Sequence, residues 1–559
     1  MRHTRRSAAA LIVVIIGLAS GGCRKSDGTT ATAAALQEIL AGKPAMPVKA
    51  AVWADVREFY KRRKGASPWV KETYTSKAED ALHVLRTAWR HGLKPADYGE
   101  PQVRQLIDAL EHSKMAAPDR GRLLAELDVR ITTALLALGR DVALGRTAPT
   151  RANNRWKARR TPLNLVAALD RAVEGDVKKW LEMVQPRDPQ YGALQQALID
   201  LHGQLEKGGW PRVAAARSFT AGKSDPSVIT LRQRLRSGGY LGGAAAESTS
   251  PFYDAGVEAG VRAFQNLHAL RASGIVDGPM LTAMNVPIED RIRQVELNLE
   301  RWRWMPEDLG PRHLLINIPY YHLIARENGK SVKEIRVIVG KPDPAHQTPV
   351  FSSEMTTVVF SPYWNIPDTI AEGETVPAIA RDPAYLTRNN IEILRRSGAG
   401  PTRVDASSVN WSDQGELRQL AFRQRPGSRN ALGHVKFLFP SAFDVYLHDT
   451  PADALFARTG RAYSHGCIRV EEPEALAKYV LAGDADWDET RIVQAMGAGV
   501  ERPVKLHETL PVHIAYFTAW VDDNHGLHFL PDVYGYDKKQ AVEPLPAAGI
   551  SQNPTEPQR

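Results

Sequence analysis

The apolar pattern of this chain changes period once, near residue 314, and that change decides what can fold on either side. Before it, apolar residues step by three or four. Leu127, Ile131, Leu135, Leu138 and Val142 share one helix face, and Gly145 ends the run. After it, the stretches 314–320, 336–339 and 357–360 alternate and read as strands, separated by Asn328-Gly329 and by turns containing proline. Two further strands, 435–439 and 444–447, precede a helix at 473–481. A last hairpin pairs 512–520 with 527–530 around a turn at 522–526. The expected fold class is α+β: a helical scaffold, a small three-helix module and a mostly β domain. At ~100–200 residues per domain, 559 residues hold three or four such units.

The first residues bear on compartment. Arg2, Arg5 and Arg6 precede the apolar run 11–19 and the small residues leading to Cys23, so 1–23 reads as a secretory signal peptide. The run is short for a bilayer span. Export to the periplasm or cell envelope is expected, with Cys23 either a lipid-anchored residue or lost by cleavage nearby. Residues 24–45, rich in Ala, Thr, Gly and Lys, read as a flexible tether. The helical scaffold is expected over 46–215, the three-helix module over 225–288 and the β domain over 300–505. Within that domain, 370–432 reads as an irregular polar insertion able to cover a cleft. A C-terminal hairpin (506–540) and a disordered tail (541–559) complete the chain. The net charge of +9 favours a polyanionic partner. Nucleic acid is one candidate and the anionic cell wall another, and no nucleic-acid motif is present.

With Cys23 processed, Cys467 is the only other cysteine, and a lone thiol in an oxidising compartment is unusual without a chemical task. It sits in Ser464-His465-Gly466-Cys467-Ile468-Arg469-Val470, downstream of Tyr446-Leu447-His448-Asp449. Thiol catalysis needs a thiolate, an imidazole to accept its proton, and donors for the oxyanion on the attacked carbonyl. His448 and His465 both fall within nineteen residues of Cys467, and Gly466 lets the backbone turn tightly beside it. Metal is the rival chemistry, but one Cys and two His make an incomplete zinc set, and neither CxxC nor HExxH occurs. No metal and no cofactor are expected. His513, His525 and His528 read as ordinary hairpin residues.

His448, fifteen intervening residues and then Ser464-His465-Gly466-Cys467 resemble the signature of the L,D-transpeptidase catalytic domain. The run Asn298-Leu299-Glu300-Arg301-Trp302-Arg303-Trp304 resembles the same stretch in the large periplasmic members. Gln347-Thr348-Pro349, Pro362-Tyr363-Trp364, Pro426-Gly427 and 430–433 agree with it as well. Residues 261–265, a Gly-containing turn and Leu281-Thr282-Ala283-Met284-Asn285 resemble the small peptidoglycan-binding module. Arg469 stands where many members carry Asn. The resemblance implies that Cys467 attacks the carbonyl of the third stem residue, a diaminopimelate, and expels the terminal D-Ala. The side-chain amine of a second stem then takes the acyl group, giving a 3→3 cross-link. It further implies His448 as base, the backbone around His465, Gly466 and Cys467 as oxyanion hole, and Asp449 as the orienter of His448 through its carbonyl. Tyr446, Arg469 and Ser464 would be substrate contacts. Peptidoglycan stem peptides and glycan would be the partners, and carbapenems would acylate the thiol.

Geometry separates the two histidines. If 464–467 is a strand, the side chains of His465 and Cys467 project in parallel about 7 Å apart. Direct proton transfer needs roughly 3 Å. A histidine ending the 444–447 strand can lie across from Cys467, where Cβ atoms are about 5 Å apart. His448 is therefore the expected base. Other uses of the same site are L,D-carboxypeptidase activity, with water as acceptor, and attachment of a protein through a Lys amine. A cysteine peptidase would usually place Cys before His, the reverse of the order here. A non-catalytic wall-binding scaffold would need neither His448 nor Cys467.

Overall fold

The computed structural model describes residues 27–153, 156, 163–214, 218–398 and 400–542. The proposed signal peptide and Cys23 lie outside these residues, as do the first residues of the proposed tether and most of the proposed tail.

The scaffold is built around one long helix, Ala117–Leu144. Its residues Leu127, Ile131, Leu135, Leu138 and Val142 are fully buried, as their spacing predicts. Thr132, on the same helix, receives hydrogen bonds from Trp69 Nε1 and pairs with the Tyr60 hydroxyl, both at 2.8 Å. The tether reading fails here. Residues Asp27–Ala41 form a helix that packs along Ala117–Leu144, burying Ala35 and Leu36. Alanine-rich composition, taken as a sign of flexibility, instead favours helix and permits close approach between helices.

The second unit has the expected helices, Ser227–Ser237, Ala255–Leu267 and Gly278–Met284. Leu231, Leu235, Val257, Val261, Phe264, Met280 and Met284 form its core. Asp254 and Asp277 cap two of the helices by accepting from Val257 N and Met280 N. Buried Gln265 donates to the Ile275 carbonyl and accepts from Gly274 N, which fixes the glycine turn.

Helix Ile288–Trp302 then enters the β domain. Its Asn298 exchanges hydrogen bonds with Thr518, while Arg301 pairs with Asp537 and the following Arg303 with Glu300. The 298–304 run is thus a buried polar hub joining three parts of the chain.

Strands β1 (Arg312–Asn317), β2 (His322–Glu327), β3 (Lys330–Gly340) and β4 (Phe351–Phe360) open the β domain. Next come β5 (Trp364–Ile366), β6 (Ile391–Arg395), β7 (Thr402–Val404) and β8 (Leu420–Gln424), which form a separate sheet of order β5-β8-β6-β7. The chain returns through β9 (Val435–Leu438), β10 (Leu447–His448), β11 (Ala462–Ser464), β12 (Ile468–Val470) and β13 (Arg502–Ala515). The main sheet runs β11-β3-β12-β10-β9-β4-β13-β1-β2, and β2 also pairs with β3, so the sheet closes on itself. Leu314, Val337, Val358, Phe437, Leu447 and Ile468 fill the interior.

Three expectations are corrected. Residues 370–432 are not irregular: they fold as a cap with its own core of Ile366, Ile379, Ile393, Leu420 and Phe422. Its strands are three to five residues long and carry Arg and Glu, too short for alternation to stand out. Residue 505 is not a domain end, because β13 continues from 502 to 515, pairing with β4 on both sides of a register shift between Lys505 and Leu510 and with β1 over 512–515. The C-terminal hairpin is correspondingly small, β14 (Ala519–Val521) with β15 (Leu527–Phe529). Residues expected to be tail instead begin with the end of helix Tyr536–Val542. No helix among the described residues is long and apolar enough to cross a membrane.

Candidate active site

Strands β10 and β12 run parallel with Leu447 opposite Ile468, and both of these side chains are buried in the interior. Strand alternation then sends Tyr446 and His448 from one strand, and Cys467 and Arg469 from the other, to the opposite face. A bond from Ile468 N to Tyr446 O (3.1 Å) continues the ladder to the residues beside the thiol. His448 stands level with Arg469, so Cys467 lies on the diagonal from it.

The segment before Cys467 is a turn and not the strand assumed when the two histidines were compared. β11 ends at Ser464, and Gly466 adopts φ +123°, a left-handed conformation open to glycine. Ser464 is buried. Its hydroxyl donates to the Cys467 carbonyl (2.5 Å) and accepts from Gly466 N (3.1 Å). Ser464 braces the turn from a buried position, and the Gly466 N–H is engaged within it. The main-chain N–H groups of His465 and Cys467 donate to no acceptor among the described residues.

Sequence reading quoted Thr348 within a motif but gave it no role. Its hydroxyl donates to the Gly466 carbonyl (2.8 Å) and accepts from Gly340 N (2.9 Å), with the side chain fully buried. Tyr534 extends this support, donating to the Gly340 carbonyl and accepting from Thr348 N. Only a side chain with one donor and an open lone pair serves both contacts of Thr348.

His448 is buried, and its Nδ1 donates to the carbonyl oxygen of Asp449 at 2.6 Å. This fixes the proton on Nδ1 and leaves Nε2 as the basic nitrogen. The Asp449 carboxylate does something else: it accepts from His434 N (2.7 Å) and Thr450 N (2.6 Å). It presses so closely on Gly433 that a Cβ there would stand 2.2 Å from the carboxylate. Burial, and then the Arg469 guanidinium, push the His448 imidazole down to about 3, so it is neutral across ordinary pH.

Cys467 Sγ points toward the Asp444 carbonyl at 3.9 Å, with the Tyr446 N–H and hydroxyl also facing the sulfur. The thiol is hydrogen bonded to neither histidine. Burial raises its pKa, against the opposing pull of Tyr446 and Arg469. Arg469 is half-buried, and its buried Nε has no hydrogen-bond partner among the described residues. It is thus a cation on the thiol's face. Burial is also what lifts the Tyr446 phenol, with Cys467 adding to the rise.

The His465 side chain reaches the cap. Its Nε2 lies 2.9 Å from Glu374 Oε1 and 3.4 Å from Lys341 Nζ, and its ring meets His346 edge-on at 4.8 Å. Of the other histidines, His513 sits in β13 against Ser352 and Leu309, and His528 pairs with Asp522. Among the described residues no cluster of His, Cys, Asp and Glu could hold a metal ion.

Comparison with known proteins follows the same divisions. Residues 54–198 match the model of a scaffold domain, 224–284 that described as "Putative peptidoglycan binding domain", and 311–502 that of the L,D-transpeptidase catalytic domain. A Haemophilus influenzae protein named "Putative L,D-transpeptidase" is 35% identical over 247 residues, which is 44% of this chain and 48% of that protein. The chain therefore spans about half the length of that relative. A solved L,D-transpeptidase from Xylanimonas cellulosilytica is 15% identical, covering 54% of this chain and 98% of that one at a TM-score of 0.16, too low to carry an argument. From its N-terminal side onward, this chain carries a scaffold domain, a peptidoglycan-binding domain and an L,D-transpeptidase catalytic domain.

Proposed function

We propose that the chain is a peptidoglycan L,D-transpeptidase of the cell envelope that forms 3→3 cross-links through an acyl group on Cys467. The observation that carries this reading is the shared face of Tyr446, His448, Cys467 and Arg469, with His448 held in one tautomer by the Asp449 carbonyl. Swinging Sγ off the Asp444 carbonyl brings it toward His448 Nε2, which takes the proton as the sulfur attacks the donor carbonyl. The N–H groups of His465 and Cys467 meet the oxyanion, and Thr348 and Ser464 keep that turn in shape. Protonated His448 returns its proton to the departing D-Ala amine. Arg469, with its unpartnered Nε, suits a stem carboxylate.

Incubation with tetrapeptide-bearing muropeptides, followed by mass spectrometry, tests the reading. Loss of D-Ala with formation of 3→3 dimers supports it. Tripeptide alone would make the chain an L,D-carboxypeptidase, and unchanged muropeptides would leave it a wall-binding scaffold.

A further inference from the structure

We propose that Glu374 and His465 form a second acid–base pair, which takes the proton from the acceptor amine when the Cys467 acyl group is transferred. The proposal rests on the transpeptidase reading above and adds residues to its second half.

The strand order sets one histidine on either side of the strand that follows Cys467. In the sheet, β12 lies between β3 and β10, and His448 comes from β10. His465 follows β11, on the β3 side. A thioester on Cys467 therefore has one histidine on each flank. The two differ in surroundings. His448 is buried and tied to the main chain, as suits a base for the thiol and the D-Ala leaving group. The His465 side chain is 29% exposed and Glu374 is 59% exposed, so both are open to an entering molecule.

Glu374 comes from the cap and not from the barrel. It lies in the turn Ala371–Thr375, and its Oε1 is 2.9 Å from His465 Nε2. Lys341, just after β3, holds its ammonium 3.4 Å from that same nitrogen. A primary alkylammonium is the group an acceptor stem presents, and one already stands beside the His465 ring. The remaining groups facing the ring are His346 and, behind it, Asp343, which is bonded to His346 Nδ1 at 2.6 Å. This flank thus offers one carboxylate to draw in an ammonium and one imidazole to relay its proton.

The chemistry requires such a pair. An ammonium has no lone pair and cannot attack a thioester. Glu374 binds it, and one proton passes through His465 to solvent. The free amine then forms the C–N bond as the C–S bond breaks. A second proton leaves nitrogen and returns to sulfur. Thioester and ammonium become amide, thiol and one released proton.

The test uses the full chain with tetrapeptide muropeptides and follows the ratio of cross-linked dimer to hydrolysed tripeptide. Glu374→Gln, at an exposed position, is expected to lower that ratio about tenfold at neutral pH. The ratio should recover as the pH approaches the acceptor amine's own pKa of about 10, where no base is needed. Glu374→Asp should restore part of it. An unchanged ratio in a wild type that cross-links overturns the inference alone. Equal loss of D-Ala release and of dimer also overturns it, because the contact would then merely hold the cap. If the wild type forms no dimer, the transpeptidase reading fails and this inference falls with it.

Discussion

Thr348 donates to the carbonyl of Gly466, one residue before Cys467, from a fully buried position beside Gly340 at the end of β3. The shape of the turn before Cys467 is therefore held by a buried residue. Thr348→Val keeps the volume but leaves Gly340 N and the Gly466 carbonyl without partners, at a cost of ~1–3 kcal/mol. Acylation of Cys467 should slow by about ten- to a hundredfold, more than that loss of stability alone would cause. Stopped-flow acylation alongside thermal melts checks this. Wild-type acylation in the variant would mean that the turn holds its own shape.

The two histidines should separate cleanly. His448→Ala removes the group proposed to accept the thiol proton, so acylation across neutral pH should be abolished. His465→Ala removes a side chain that points to the cap, so a measurable acylation rate should remain. Acylation measured on folded variants decides between them. A dead His465→Ala beside an active His448→Ala would reverse the roles.

The pH dependence follows from burial. The Cys467 thiol is pushed above its ordinary value of 9.0, and His448 is pushed down to about 3. The resting pair is thus neutral thiol and neutral imidazole. Alkylation by iodoacetamide should rise with pH through neutrality and continue past pH ~9, with no inflection near the ordinary histidine value of about 6.5. Arg469→Met removes a cation that favours the thiolate and should move the curve to higher pH. A plateau reached below pH 7 would instead indicate a thiolate–imidazolium pair.

In the scaffold, Asp128 is fully buried, accepts from Ser67 Oγ at 2.6 Å, and is lifted to about 7, chiefly by burial. Its folded pKa is raised above the unfolded value of 3.8. The folded state therefore holds the proton more tightly. Stability from this group is complete below the unfolded value and falls as pH rises toward 7, by ~1.4 kcal/mol per unit at most. Asp128→Asn should raise the melting temperature of the scaffold at pH 8 and change it little at pH 4. An equal drop at both values would show that the carboxylate is needed for packing.

Much of this site was legible because its signals are local. His448, Cys467 and the glycine between Cys467 and His465 lie in a short stretch whose chemistry follows from residue type. The period change near 314 likewise located the β domain. What stayed hidden depends on contacts far apart in the chain. Glu374 and Lys341 meet His465 across more than ninety and one hundred and twenty residues respectively, and neither position looks unusual in sequence. The cap was missed because its strands are short and charged. The helix at Asp27–Ala41 was missed because a stretch rich in alanine and threonine resembles linker composition. The bracing contacts of Ser464 were hidden for a related reason: only the folded turn brings its hydroxyl between Gly466 and Cys467.

The central claim is that Cys467 carries the acyl group. Intact-protein mass spectrometry after exposure to a carbapenem, and separately to a tetrapeptide stem, tests it most directly. The account predicts one adduct, located on Cys467 by peptide mapping, and none on Cys467→Ser, together with loss of D-Ala release by that variant. An adduct on a serine of the native chain, or D-Ala release by Cys467→Ser at near the native rate, would contradict it.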